Sequence, residues 1–166
     1  MRKIIHINDQ WFYANDYKDE YLKNEFDFSN FERVDLPHTN IELPYNYFDE
    51  KSYQFISTYV KTLKFDNSVK GKKVFLDFEG VMIAAEVYLN GIHVGGHKGG
   101  YTNFSIDITE ALKINEDNIL KVVVDSTERP DIPPHGYVVD NLTYGGIYRE
   151  VSIRVVEPIF INNLYA

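Results

Sequence analysis

The chain has 166 residues, 17 Lys+Arg against 25 Asp+Glu for a formal net charge of −8, 44% hydrophobic and 15% aromatic residues, and no cysteine. That is one domain's worth of chain with enough apolar mass to bury a core. Its acidity argues against a nucleic-acid backbone or an anionic membrane as partner, and the missing thiols remove disulfides, thiolate metal sites and Cys nucleophiles.

In chain order, Met1-Arg2-Lys3 leads into Ile4 to Asp9, a stretch too short and polar for a signal peptide or a transmembrane helix, which sets the expectation of a cytoplasmic location. From Met1 to about Tyr53 the pattern is irregular and rich in Asn, Asp, Tyr and Phe, and reads as a long peripheral wrap (1–53). A period of two then dominates, the signature of half-buried strands. Tyr59 to Phe65 is one candidate strand. In Lys73 to Glu79 the inward set is Val74, Leu76 and Phe78. Glu86-Val87-Tyr88-Leu89 meets Ile92-His93-Val94 across Asn90-Gly91, a dipeptide suited to the two positive φ angles of a type I′ turn.

Gly95-Gly96-His97-Lys98-Gly99-Gly100 lacks the Gly-Lys-Ser/Thr ending of a phosphate loop and reads as a flexible strand connection. Thr109-Glu110-Ala111-Leu112 reads as one helical turn capped by Thr109. Leu120, Val122 and Val124 form another inward face, as do Val151, Ile153 and Val155. Short strands at this rhythm predict an all-β fold, a β-sandwich or jelly roll, over 1–157. Residues 158–166 then read as the start of a connection to a following domain.

His93 and His97 flank a glycine turn rather than sharing a helix face, which argues against a zinc site. No Gly-x-Ser-x-Gly elbow is present, so nothing supports a serine triad. Glu79, Glu86 and Glu150 lie in or beside strands and read as solvent-facing or ion-paired charges rather than as a catalytic pair. Asp140 differs. It lies in a loop with His135, Tyr137, Asn141 and Tyr144, just before a glycine pair. On the residues alone it reads equally as an acceptor for sugar hydroxyls beside aromatic faces and as a structural carboxylate capping backbone amides.

Several ordered motifs carry a resemblance. These are Leu36-Pro37-His38-Thr39, the run Phe78 to Gly91 with its continuation through Gly99-Gly100-Tyr101-Thr102-Asn103-Phe104 to Asp107-Ile108-Thr109, Arg129-Pro130-Asp131-Ile132-Pro133-Pro134, and Tyr144-Gly145-Gly146-Ile147-Tyr148-Arg149-Glu150-Val151. Together, from about Asn8 to Pro158, they resemble the N-terminal sugar-binding domain of family 2 glycoside hydrolases, β-galactosidases in particular.

The resemblance implies a galactose-binding-domain-like jelly roll followed by an immunoglobulin-like domain and a catalytic (β/α)8 barrel, the barrel holding both catalytic glutamates. At roughly 250 residues such a barrel does not fit in this chain, which therefore carries no catalytic residue. By position in the motif, Asp140 corresponds to the aspartate that binds the terminal sugar, and Asn46 is matched to a second substrate contact. Tyr144, Tyr148 and Arg149 are assigned to holding the loop. The resemblance implies no cofactor within this chain. It makes Asp140 a sodium ligand only where barrel residues are supplied, and sodium or magnesium a matter for a full-length enzyme. The implied partners are a carbohydrate, such as a terminal β-galactoside, and the following domains of the same chain. Three alternatives stay open: a free-standing carbohydrate-binding module, the same domain of a β-glucuronidase-like enzyme, and a scaffold for oligomer contacts.

Overall fold

The alternation seen in the sequence is realised as two antiparallel sheets packed face to face in a jelly-roll sandwich. A computed structural model of the chain describes residues 2–42, 46, 49–133 and 144–163. Among the described residues there are ten strands. The four-stranded sheet has the order β1 (Lys3–His6), β10 (Val151–Val156), β5 (Lys73–Phe78), β8 (Phe104–Asp107). The six-stranded sheet has the order β3 (Glu32–Val34), β2 (Trp11–Ala14), β4 (Ile56–Lys64), β9 (Asp117–Asp125), β6 (Ala84–Leu89), β7 (Ile92–Lys98).

The inward sets meet between the sheets. Val74, Leu76 and Phe78 of β5 and Ile153 and Val155 of β10 belong to one buried cluster with Leu120, Val122 and Val124 of β9, Val87 and Leu89 of β6, and Tyr59 of β4. Each such aliphatic side chain, fully buried, contributes about 1.5–3 kcal/mol. Asn90 and Gly91 both take positive φ, at 54° and 78°, which closes the β6–β7 hairpin as the dipeptide requires. No helix among the described residues is long and apolar enough to cross a membrane.

Three local expectations are revised. The segment before Tyr53 is not only a wrap: it supplies β1 to one sheet and β2 and β3 to the other, and Trp11 is fully buried, its Nε1 donating to the Ile7 carbonyl at 2.6 Å. Residues 15–31 do wrap. They lie on the outer face of the six-stranded sheet, where Lys121 Nζ donates to the Lys23 carbonyl at 2.6 Å and Tyr21, Phe26 and Phe31 pack together.

Residues 109–112 form the single turn expected, closed by the Ala111 and Leu112 amides on the Ile108 carbonyl, but Thr109 does not cap it. The Thr109 hydroxyl is occupied elsewhere, accepting from the Val74 amide at 3.0 Å and donating to Asp107 Oδ1 at 2.5 Å. Gly95 and Gly96 are not a flexible connection either, because β7 runs through them to Lys98.

Candidate functional site

The register aligns Ile56 of β4, Asp125 of β9 and Ala84 of β6 at one end of the sandwich. This rim receives the chain leaving β9 through Ser126 to Pro133 and the chain returning at Tyr144. The return is fixed by backbone pairing. The His38 amide donates to the Ile147 carbonyl at 2.8 Å and the Asn40 amide to the Gly145 carbonyl at 2.9 Å, while Met82 and Gly146 exchange bonds at 2.9 and 3.3 Å. The Ser126 hydroxyl donates to the Met82 carbonyl at 2.8 Å. Such approaches leave no room for side chains. A Cβ on Gly145 would lie 2.4 Å from Asn40 Nδ2 and 2.5 Å from Ser126 Oγ. Gly146 takes φ +103°, and a Cβ there would lie 2.6 Å from the Tyr59 hydroxyl.

Behind the glycine pair sits an aromatic group. His38 Nδ1 and the Tyr59 hydroxyl share a hydrogen bond of 2.8 Å, the Tyr13 hydroxyl donates to the Asn40 carbonyl at 2.6 Å, and the Tyr13 ring lies 4.7 Å from His38 and 4.9 Å from Tyr59. Burial pushes both tyrosine hydroxyls well above their ordinary range, and it lowers His38 against the opposing pull of Glu32. His38 is therefore held as the neutral ring. Asn40, only 4% exposed, donates through Nδ2 to the Tyr53 carbonyl at 2.7 Å, but its Oδ1 is buried with no hydrogen-bond partner among the described residues. Beside it opens a polar cleft of about 580 Å³, lined by Asp16, Glu32, His38, Thr39 and Glu42 among others.

The outgoing segment is held by charge. Arg129 donates from Nη1 to Asp125 at 3.1 Å and from Nε to Asp131 at 3.2 Å, and Lys98 Nζ donates to the other Asp131 oxygen at 2.8 Å. The Lys98 and Arg129 hydrogen bonds hold the Asp131 carboxyl down to about 2. Ile132, 2% exposed, closes a small cluster with Met82, Ile83 and Ala84, against which Tyr148 packs.

Of the residues singled out from sequence, Asp140 falls in 134–143, outside the described residues. Asn46 is exposed in a bend, and Tyr144 is exposed at the rim. The Tyr148 hydroxyl donates to the Gly100 carbonyl at 2.5 Å, and the Arg149 guanidinium lies 5.5 Å from the Tyr148 ring. His93 and His97 do not converge: the first pairs with Glu86 at 2.6 Å, the second with the Thr102 hydroxyl at 2.8 Å. Among the described residues no three His, Asp or Glu are grouped to hold a metal ion, and the sodium reading of Asp140 lies outside them.

Asn40 and Ser126 carry no motif spacing that marks them in the sequence, and Tyr59 is visible there only as the start of a strand. His38 was visible only as part of the Leu-Pro-His-Thr element.

The chain matches the family described as glycosyl hydrolase 2 galactose-binding domain-like over residues 9–140. It is 54% identical over 165 residues to a β-galactosidase of Thermoanaerobacterium thermosulfurigenes, covering 99% of this chain and 23% of that protein. It is 38% identical over 137 residues to a β-glucuronidase of Bacteroides fragilis, covering 80% of this chain and 19% of that one. In three dimensions it superposes on the crystal structure of a Bacteroides uniformis β-glucuronidase with a TM-score of 0.83 at 32% identity, covering 95% of this chain and 18% of that chain. It thus spans less than a quarter of the length of these relatives. With the sandwich and the matched span in agreement, the chain belongs to the galactose-binding-like, N-terminal domain family of the family 2 glycoside hydrolases.

Proposed function

We propose that this domain serves a retaining glycoside hydrolase of the β-galactosidase kind, presenting the 134–143 loop to a catalytic barrel elsewhere in a longer protein. Asp140 would then accept hydrogen bonds from hydroxyls of the terminal sugar, and Asn46 would make a second contact. Bond cleavage would fall to residues outside this chain. The observation that carries the reading is the double anchoring of the loop's flanks. The return is clamped by backbone bonds at Gly145 and Gly146, and the departure by the Lys98–Asp131–Arg129–Asp125 ladder. A rigid sandwich held this way can fix one carboxylate against a neighbouring site, and positioning of that kind is a large part of catalytic power. The 54% identity to a β-galactosidase favours a galactoside over a glucuronide.

The test is steady-state kinetics of Asp140→Ala and Asp140→Asn in the longer enzyme, with nitrophenyl β-galactoside and nitrophenyl β-glucuronide as substrates. Two charge-assisted hydrogen bonds to hydroxyls are worth about 3 kcal/mol, so kcat/KM for the galactoside should fall roughly 100-fold or more with the melting temperature unchanged. Near-wild-type kinetics would remove Asp140 from the site, and a preference for the glucuronide would shift the substrate class.

A further inference from the structure

The outer face of the six-stranded sheet is only partly covered. The wrap is tied down over β4 and β9 by the Thr58 hydroxyl donating to the Asp16 carbonyl at 2.9 Å and by Lys121 on the Lys23 carbonyl. Beyond Tyr17, toward the rim, the cover stops and leaves a groove of about 290 Å³. Its lining comes from three strands: Ile56 of β4 and Ala84 of β6, which the register places on either side of Asp125 of β9, and Val123, two residues along β9 on the same face. Tyr17 and Tyr88 wall it. Glu86, Asp125, Lys98 and Arg129 edge it.

Asp125 is taken up by Thr127 and Arg129, whereas Glu86, Lys98 and Arg129 are each held in place and, among the described residues, retain hydrogen-bonding capacity. Glu86 gives Oε2 to His93 at 2.6 Å and keeps Oε1. Its carboxylate lies over Gly96, directly across the strand pair, where a Cβ would come within 2.6 Å of Oε2. A glycine in β7 is thus what lets this carboxylate lie along the groove. Arg129 uses Nε and Nη1 on the two aspartates and keeps Nη2, and Lys98 spends one donor on Asp131. The Tyr17 ring is set by its hydroxyl donating to Asp19 at 2.7 Å, and the Tyr88 ring packs edge-on to His93 at 5.1 Å.

We propose that this groove binds one neutral pyranose unit of a glycan, at a place separate from the Asp140 loop. The chemistry of the lining selects that class. The two carboxylates of the lining balance its two cations, and Asp131, which both cations touch, adds a negative charge that disfavours an anionic sugar. The apolar surface of Ile56, Ala84 and Val123 between two aromatic walls suits the C–H face of a sugar ring. The remaining donors and acceptors stand at the edge, where ring hydroxyls, each both donor and acceptor, would reach them. The volume is at the small end for a ligand pocket and suits one ring rather than a chain of them. A second foothold of this kind would raise the local concentration of an extended glycan at the rim without new contacts there.

The experiment is a titration of this chain with methyl β-galactoside, methyl β-glucoside and glucuronate, followed by amide chemical shifts. The expected result is a millimolar dissociation constant for a neutral sugar, with shifts centred on Ala84 to Tyr88 and Val123. Glu86→Gln, which keeps the side chain's shape, should weaken it about tenfold, and Tyr88→Ala should abolish it. Asp140→Ala should leave this binding as it is, so the proposal survives or fails independently of the loop's role. Absence of binding up to the solubility limit of each sugar would overturn it. So would loss of binding in Asp140→Ala with retention in Glu86→Gln, or a preference for glucuronate.

Discussion

Each end of the sandwich buries an asparagine, and the two are treated differently. At the end away from the loop, Asn118 is fully used. Its Oδ1 accepts from the Lys113 amide at 2.7 Å and Asn90 Nδ2 at 2.9 Å, and its Nδ2 donates to the Lys113 and Glu116 carbonyls at 2.7 and 3.1 Å. At the rim, Asn40 makes one side-chain bond to the described residues and leaves Oδ1 buried without a partner among them. The first arrangement closes a turn behind the β6–β7 hairpin. The second tolerates an unpaired acceptor beside the segment that carries the proposed substrate loop. The difference teaches that the closed end spends its side-chain hydrogen bonds on holding a turn, while the rim spends its precision on bringing backbones together.

The largest test of that contrast uses glycines. Gly146→Ala places a Cβ 2.6 Å from the Tyr59 hydroxyl and 2.8 Å from the His38 carbonyl at φ +103°, and should cost about 3 kcal/mol or more. Gly71→Ala, near the closed end with φ +74° and nothing within 4 Å, should cost only about 1 kcal/mol. Denaturant midpoints measure both, and equal losses would erase the distinction drawn between the ends.

The asparagines themselves come next. Asn118→Ala strips partners from three backbone groups and should cost about 2–3 kcal/mol. Asn40→Ala loses one bond and relieves an orphaned carbonyl, for about 1 kcal/mol. A larger loss at Asn40 would mean that its oxygen has a donor after all, such as an ordered water.

The smallest effect is on pH dependence. Burial lowers His38 below its ordinary 6.5 in the fold, so the unfolded chain takes up the proton first. Its contribution is complete above 6.5 and is lost as pH falls from there toward the folded value. The groups facing it are the neutral Tyr13 and Tyr59 and the charge of Glu32, which moderates the effect. Equilibrium unfolding from pH 8 to 5 should show this decline, and His38→Gln should flatten it. An unchanged slope in the variant would assign the decline to other groups.

How much of this was legible in the sequence depends on the segment. β5, β9 and β10 were readable because three inward residues in each alternate over five positions. β1 was not, since all four of its residues are exposed at a sheet edge and carry no alternation. Trp11 and Tyr13 alternate for only one strand of four residues, too short to stand out from the irregular stretch around it. At the rim, motif resemblance pointed to the Gly145-Gly146 region and to Asp140. The residues that clamp the glycines, Asn40, Tyr59 and Ser126, come from separate segments that share no spacing rule. The groove is less legible still, because Ile56, Ala84 and Val123 become neighbours only through strand register.

The sequence by itself determined the inward faces of β5, β9 and β10, the Asn90-Gly91 turn and the family motifs, because side-chain alternation and positive φ are local properties carried by adjacent residues. Tertiary structure alone decided that β1 and β2 join opposite sheets, that Gly146 must pass against Tyr59, and that Glu86 lies over Gly96. Those outcomes depend on which strands pair and in what register, and pairing is set by the closing of the whole sandwich around its core rather than by any one segment.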